Sequence, residues 1–312
     1  MSGTVYLSHP SSLEHDTGQH PERAARIVAI EQELAARGWL GLDRRLSKAA
    51  TPQLLERVHA PDHVRAVERL SLAGGGNLDV DTVASRGSWE AALHAAGAGA
   101  QLVDLLLDGT AAAGFSAHRP PGHHATRTRA MGFCLFNNIA VAAQHALDSR
   151  GVARVAIVDW DVHHGNGTSD IFYASPQVLY ISIHQSPLYP GTGDARERGT
   201  GAGEGFTLNL PVPPGADDGV FVSLIEDVVI AALAEYEPQL LLVSAGYDAH
   251  RRDPLADCDV TEAGYAAMTQ ALCDAGRQLG APLGILLEGG YDLDALAGSV
   301  AATLETLAAA PR

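Results

Sequence analysis

"RVAIVDWDVHHGNGT", residues 154–168, carries the reading on which the fold turns. Its first half, Val155–Val158, is apolar at consecutive positions. Its second half sets Asp159, Asp161, His163 and His164 within six positions, with Gly165 and Gly167 close behind. A short run that is apolar on both faces suits a strand of a parallel sheet covered on each side, not a half-solvated antiparallel one. In open sheets of that kind, ligands bind beyond the carboxyl ends of the strands. That is where the polar residues stand.

Outward from this stretch the same pattern repeats. "VYLS" at 5–8, "AAGFSAH" at 112–118, "VLYISIH" at 178–184, "FTLNLPV" at 206–212, "LLLVSAG" at 240–246 and "LGILLEG" at 283–289 read as further strands. Helical stretches alternate with them. One runs over 21–38, with Pro21 in its first turn and Gly38 as its stop. A second starts with Ser88 as N-cap and ends at Gly109. A third ends at Gly151, and a fourth runs from a Thr261 cap to Gly280. The alternation predicts an α/β protein, with a parallel sheet flanked by helices on both faces. No internal repeat, linker or low-complexity segment interrupts it, so one domain over 1–312 is the simplest organisation. Three more polar clusters follow apolar runs: "RPPGHHA", "YDAHRRDP" and "GGYD". All four could converge on one site.

If the strand at 154–160 continues, Asp159, Asp161 and His163 share one face. Asp161 and His163 could then hold one ion, with Asp248 as a third ligand from another strand end. Two carboxylates and one imidazole suit zinc or another divalent transition metal and leave a position open, as catalytic sites do. His123 and His124 could be a base and acid pair beside a metal-bound water, or two solvated residues of a turn. Tyr291, after two glycines, could donate a hydrogen bond to a polarised carbonyl. Phe133 and Tyr189 could flank a slot for an alkyl chain or simply pack.

Composition limits the rest. Lys and Arg number 21, Asp and Glu 37, so the formal charge is −16. Such a surface repels phosphates and argues against nucleic acid as a partner, while a cationic substrate would be attracted. Cys134, Cys258 and Cys273 are too few and too scattered for a disulfide framework. "MSGTVYLSHP" lacks the charge and apolar run of a signal peptide, and no window is long and apolar enough for a membrane span. The cytoplasm is the expected location. A homo-oligomer is compatible with the sequence, which does not specify one.

Taken together the motifs resemble the zinc-dependent histone deacetylase family, including its bacterial amidohydrolases and the related acetylpolyamine amidohydrolases. "HPERAARI", "RPPGHHA", "GFCLFNNIAVAA", "DWDVHHGNGT", "PGTGD", "SAGYDAHRRDPL" and "EGGY" occur in the family's order over nearly the whole chain. The resemblance implies the arginase/deacetylase-type fold with a mainly parallel eight-stranded sheet. It implies one zinc on Asp161, His163 and Asp248, and removal of an acetyl or other acyl group from an N-acylated amine by an activated water. It assigns His124 as general base and His123 as an assisting imidazole. Asn166 stands behind His124 and Asp159 behind His123, and Tyr291 polarises the carbonyl. Gly132, Phe133, Tyr189 and Leu255 would line the substrate tunnel. A monovalent cation, K⁺, would sit near Asp159, Asp161, His163, Ser182 and Ile183.

Three departures shape the expectation. Asn166 replaces the Asp of class I members and matches the class II-like pattern. Tyr189 stands where many members have Phe. Leu255 stands where the polyamine-selective eukaryotic member has Glu, which weakens the acetylpolyamine alternative. A binuclear manganese ureohydrolase would need further carboxylates where Gly165 and His250 stand. A non-catalytic acyl-amine binder is the remaining alternative, and the intact set of candidate residues argues against it.

Overall fold

The apolar run at 155–158, extended by Asp159, forms a strand near the centre of an eight-stranded parallel sheet. The computed structural model describes residues 3–310, so the two residues at each end of the expected domain lie outside the described residues. The strands are β1 (Thr4–Ser8), β2 (Asp43–Leu46), β3 (Gly75–Asn77), β4 (Val83–Ser85), β5 (Ala113–Ser116), β6 (Val155–Asp159), β7 (Val178–Gln185), β8 (Thr207–Val212), β9 (Leu240–Ala245) and β10 (Leu283–Leu287). The large sheet runs β2-β1-β5-β10-β9-β6-β7-β8, and every pairing in it is parallel. β3 and β4 form a separate antiparallel hairpin.

Side-chain alternation divides the strands between two cores. Val155 and Ile157 of β6 join Leu240 and Leu242 of β9 and the helices Ser88–Leu107 and Asn138–Ser149. Ala156 and Val158 join Leu241, Val243 and the helices Ala25–Ala36, Glu262–Leu279 and Leu293–Ala309 on the opposite face. Both faces are thus covered, which is why the strands read as unbroken apolar runs.

The order matters for function. The chain leaves β5, builds β6 to β8 on one side, then returns to insert β9 and β10 between β5 and β6. The carboxyl ends of β5, β6, β9 and β10 therefore meet at the point where strand order reverses, the usual ligand crevice of such sheets. Among the described residues no helix is long and apolar enough to cross a membrane.

Several local expectations need correction. β6 ends its ladder at Asp159, and Asp161–His163 is a bend. Trp160 and Val162 nevertheless stay buried in the same core as Val158, so the alternation of faces outlasts the strand. Pro21 precedes its helix, which begins at Ala25. Ser88 is the first residue of its helix, not the cap. Its hydroxyl bonds His15 Nδ1 instead. Thr261 occupies the cap position, but its hydroxyl donates to Asp218.

Candidate active site and metal centre

The bend after β6 turns Asp161 and His163 towards Asp248, which lies just beyond β9. His163 Nδ1 is 3.2 Å from an Asp161 carboxylate oxygen and 3.1 Å from one of Asp248. One N–H cannot donate fully to both. Ligand atoms gathered this closely can share one ion. Among the described residues this trio is the one group of three acidic, His or Cys side chains with ligand atoms mutually within 4.8 Å. All three are buried. A Cβ on Gly289 would collide with the carboxylates of both Asp248 and Asp161, so glycine is required behind the pair. The donor set fits a divalent metal. Burial works against a charged His163, but its bonds to Asp161 and Asp248 outweigh it and raise its pKa to about 10. The two carboxylates therefore call for a positive charge, which a metal would supply in place of the proton.

The loop after β5 carries the histidine pair. His123 Nδ1 lies 3.0 Å from Asp159, and His124 Nδ1 lies 2.8 Å from the Asn166 amide oxygen. The rings stand 4.0 Å apart, centre to centre. Burial opposes charge on His123, but Asp161 and Asp159 together hold its pKa well above the ordinary value. His124 goes the other way. Burial lowers its pKa, and the neighbouring His123 and His163 lower it further. Adjacent residues of one type are thus driven to opposite protonation states. The loop itself is held by Glu288, whose carboxylate accepts from the backbone N–H of Gly122 at 2.6 Å and of His123 at 3.1 Å.

The loop after β10 carries Tyr291. Gly289 N–H donates to Asp161 at 2.9 Å, Arg26 Nε donates to the Gly290 carbonyl at 2.7 Å, and Tyr291 N–H donates to Asp253 at 2.6 Å. The Arg26 guanidinium lies 5.1 Å from the centre of the Tyr291 ring. Beneath, Glu22 joins Arg26, Arg119 and His15 in a fully buried ion network.

These loops enclose a cavity of about 240 Å³. It is lined by His124, His163 and Tyr291 together with Gly132, Phe133, Tyr189, Leu188, Leu255 and Asp81. Phe133 meets the Tyr291 ring edge-on at 5.8 Å, and Tyr189 meets His124 edge-on at 5.1 Å. Gly132 adopts φ +54°, and a Cβ there would strike the His124 ring. Ser182 pairs with Asp159 across the β6–β7 ladder, so Ser182 and Ile183 stand beside the Asp159 end of the site. The Ser182 hydroxyl is bonded to His184 Nδ1 at 2.9 Å. Of the residues singled out from the sequence, His124, Gly132, Phe133, His163, Tyr189, Leu255 and Tyr291 line this cavity, while Asp161, Asp248, Asn166 and His123 contact its lining and Asp159 stands behind His123.

The family profile described as "Histone deacetylase domain" matches residues 20–307. The chain belongs to the histone deacetylase family. A "Probable deacetylase" of Methanothermobacter thermautotrophicus is 42% identical over 95% of this chain and 88% of that relative. A "Histone deacetylase-like amidohydrolase" of Pseudomonas aeruginosa is 38% identical over 92% and 75%. The crystal structure titled as that of the HDA15 HD domain superposes with a TM-score of 0.93 at 41% identity, covering 98% of this chain and 88% of that one. This deacetylase is accordingly a hydrolase with the arginase/deacetylase-type fold.

Sequence reading missed several residues of this deacetylase's crevice. Asp81 sits on a glycine-rich hairpin and reaches the cavity only because β3 and β4 fold over it. Glu288 and Asp253 were visible inside their motifs. Apart from the Ser244 hydroxyl that donates to Glu288, their partners are backbone N–H groups, which leave no sequence signal.

Proposed function

We propose that this deacetylase is a zinc-dependent amidohydrolase, one catalytic domain over 1–312, that removes an acetyl group from an N-acylated amine such as acetyl-lysine. The observation that carries this reading is that His163, whose ligand atom clusters with those of Asp161 and Asp248, lines one cavity together with His124 and Tyr291. A bound zinc would supply the Lewis acidity that polarises the acyl carbonyl and acidifies the attacking water.

The chain's own residues do the rest. The Asn166 amide oxygen accepts a hydrogen bond from His124 Nδ1–H, which keeps the proton there and leaves Nε2 free as a base. His124, kept neutral by burial and by the cationic His123 beside it, takes a proton as the water oxygen bonds to the carbonyl carbon. The Tyr291 hydroxyl keeps its proton, since burial and the nearby Asp248 raise its pKa well above the ordinary value, and donates it in a hydrogen bond to the oxyanion. His123, held cationic by Asp161 and Asp159, adds positive charge beside the reacting centre. As the C–N bond breaks, the proton on His124 passes to the amine nitrogen. Acetate and a free amine leave. A monovalent cation beside Asp159, Ser182 and Ile183 belongs to the same proposal.

One observation favours a second reading. The Asp81 carboxylate at the cavity would attract a substrate with another amine, as in an acetylpolyamine. The test is hydrolysis of a fluorogenic acetyl-lysine amide beside N-acetylputrescine, with zinc-loaded wild type and His124→Ala. Turnover of the lysine substrate, falling by about 10²–10⁴ in the variant, is expected. Faster turnover of N-acetylputrescine would favour the second reading. No turnover of either, with one zinc bound per chain, would overturn both.

A further inference from the structure

Asp253 is not among the candidate ligands or proton carriers, yet its buried carboxylate ties two walls of the cavity together. Oδ2 accepts from the Tyr291 N–H at 2.6 Å, and Oδ1 accepts from the Leu255 N–H at 3.0 Å. Both of these residues line the cavity. The Asp253 N–H is itself fixed by the His250 carbonyl at 2.8 Å, two residues beyond the ligand Asp248. On the solvent side Arg252 spans the same two loops through Asp292 at 3.1 Å.

We propose that Asp253 is the positioning residue of Tyr291. Its carboxylate sets where the phenol hydroxyl stands and how far Leu255 is from it across the tunnel. The physical reason lies in the loop before Tyr291. Gly290 has φ +118° and Gly289 no side chain, so the backbone there has no stiffness of its own. Its place comes from its bonds. Gly289 is held by Asp161 and by the Tyr247 N–H, Gly290 by Arg26, and Tyr291 by Asp253. Of these anchors, Asp253 alone grips the tyrosine's own N–H, next to the Cα from which the ring projects. A misplacement of about 1 Å in a hydrogen-bond donor costs about 10² in rate.

The catalytic half of the inference rests on the proposed role of Tyr291, so the test has an arm that needs no turnover. The eight tyrosines are replaced by 3-fluorotyrosine, and the residue 291 resonance is assigned by its loss in Tyr291→Phe. In Asp253→Ala this ¹⁹F line shifts or broadens while those of the remote Tyr6 and Tyr236 stay in place. Asp253→Asn, which retains one acceptor, moves it less. An unchanged line overturns the proposal whatever the enzyme hydrolyses. The kinetic arm is a double-mutant cycle on the acetyl-lysine amide. Asp253→Ala lowers kcat about 10²-fold with Tyr291 present and less than about twofold in the Tyr291→Phe background. Equal losses in both backgrounds would show a general structural role and overturn the proposal. If Asp253→Ala does not fold, Asp253→Asn decides both arms. A wild type without turnover would remove the proposed function and leave the ¹⁹F result to decide the positioning.

Discussion

Two clusters of buried histidines stand at the carboxyl end of the same sheet. At its centre, His123 and His163 face Asp159, Asp161 and Asp248, which overcome burial and hold both imidazoles well above their ordinary range. Towards its edge, His118 and His94 face hydroxyls. His118 Nε2 and His94 Nδ1 each lie 2.9 Å from the Ser47 Oγ, and His9 stacks on His94 at 3.4 Å. There burial dominates. It brings His118 down to about 3 and lowers His94, with His9 adding to the effect. Glu90 reaches His94 at 3.2 Å, but it is largely exposed and water screens it. Depth and strand-end position are common to both clusters. The buried carboxylate is what differs, and it separates a centre that attracts a cation from a neutral polar packing cluster.

The comparison can be broken at several points. Asp248→Asn should weaken metal binding by more than the ~10²-fold typical of losing an outer partner, with turnover falling in parallel. Metal content per chain measures this. His94→Ala should leave turnover within about twofold and cost on the order of 1–3 kcal/mol of stability, read from denaturant unfolding. If the two variants exchanged their effects, the carboxylate would not be the deciding feature.

Next in size is acid stability. His118 and the similarly buried His59 are both held near 3, chiefly by burial. Their folded values are depressed, so the unfolded chain binds more protons below about pH 6.5. Their contribution is therefore complete above that pH and is lost as the pH falls towards 3. At pH 5 each should cost about 2 kcal/mol. Stability that is flat between pH 7 and 5 would contradict the assignment of the edge cluster as neutral.

The smallest effect is expected behind the base. Asn166→Asp places a carboxylate where an amide now accepts from His124. It should raise the His124 pKa and move the acid limb of kcat/KM towards neutrality, by about 1–2 on the pH axis. An unmoved limb would mean that the free base titrating in that profile is not His124.

What the sequence determined by itself follows from local rules. The central strands were legible because a strand buried on both faces must be apolar at every position, as in Val155–Val158 and Leu240–Val243. The ordered motifs identified the family and brought the candidate side chains into view. β2, "DRRL", stayed invisible because an edge strand pairs on one side only and its exposed charges carry no apolar period. The β3–β4 hairpin was equally silent, for its strands are three residues long and one is Gly-Gly-Asn. Tertiary structure alone decided that β9 and β10 return between β5 and β6, which brings Asp248 and Tyr291 to Asp161 and His123. It alone decided that Asp253 and Glu288 bind backbone N–H groups 38 and 165–166 residues away. A backbone N–H is the same at every residue but proline, so nothing in the sequence marks which one a buried carboxylate will find.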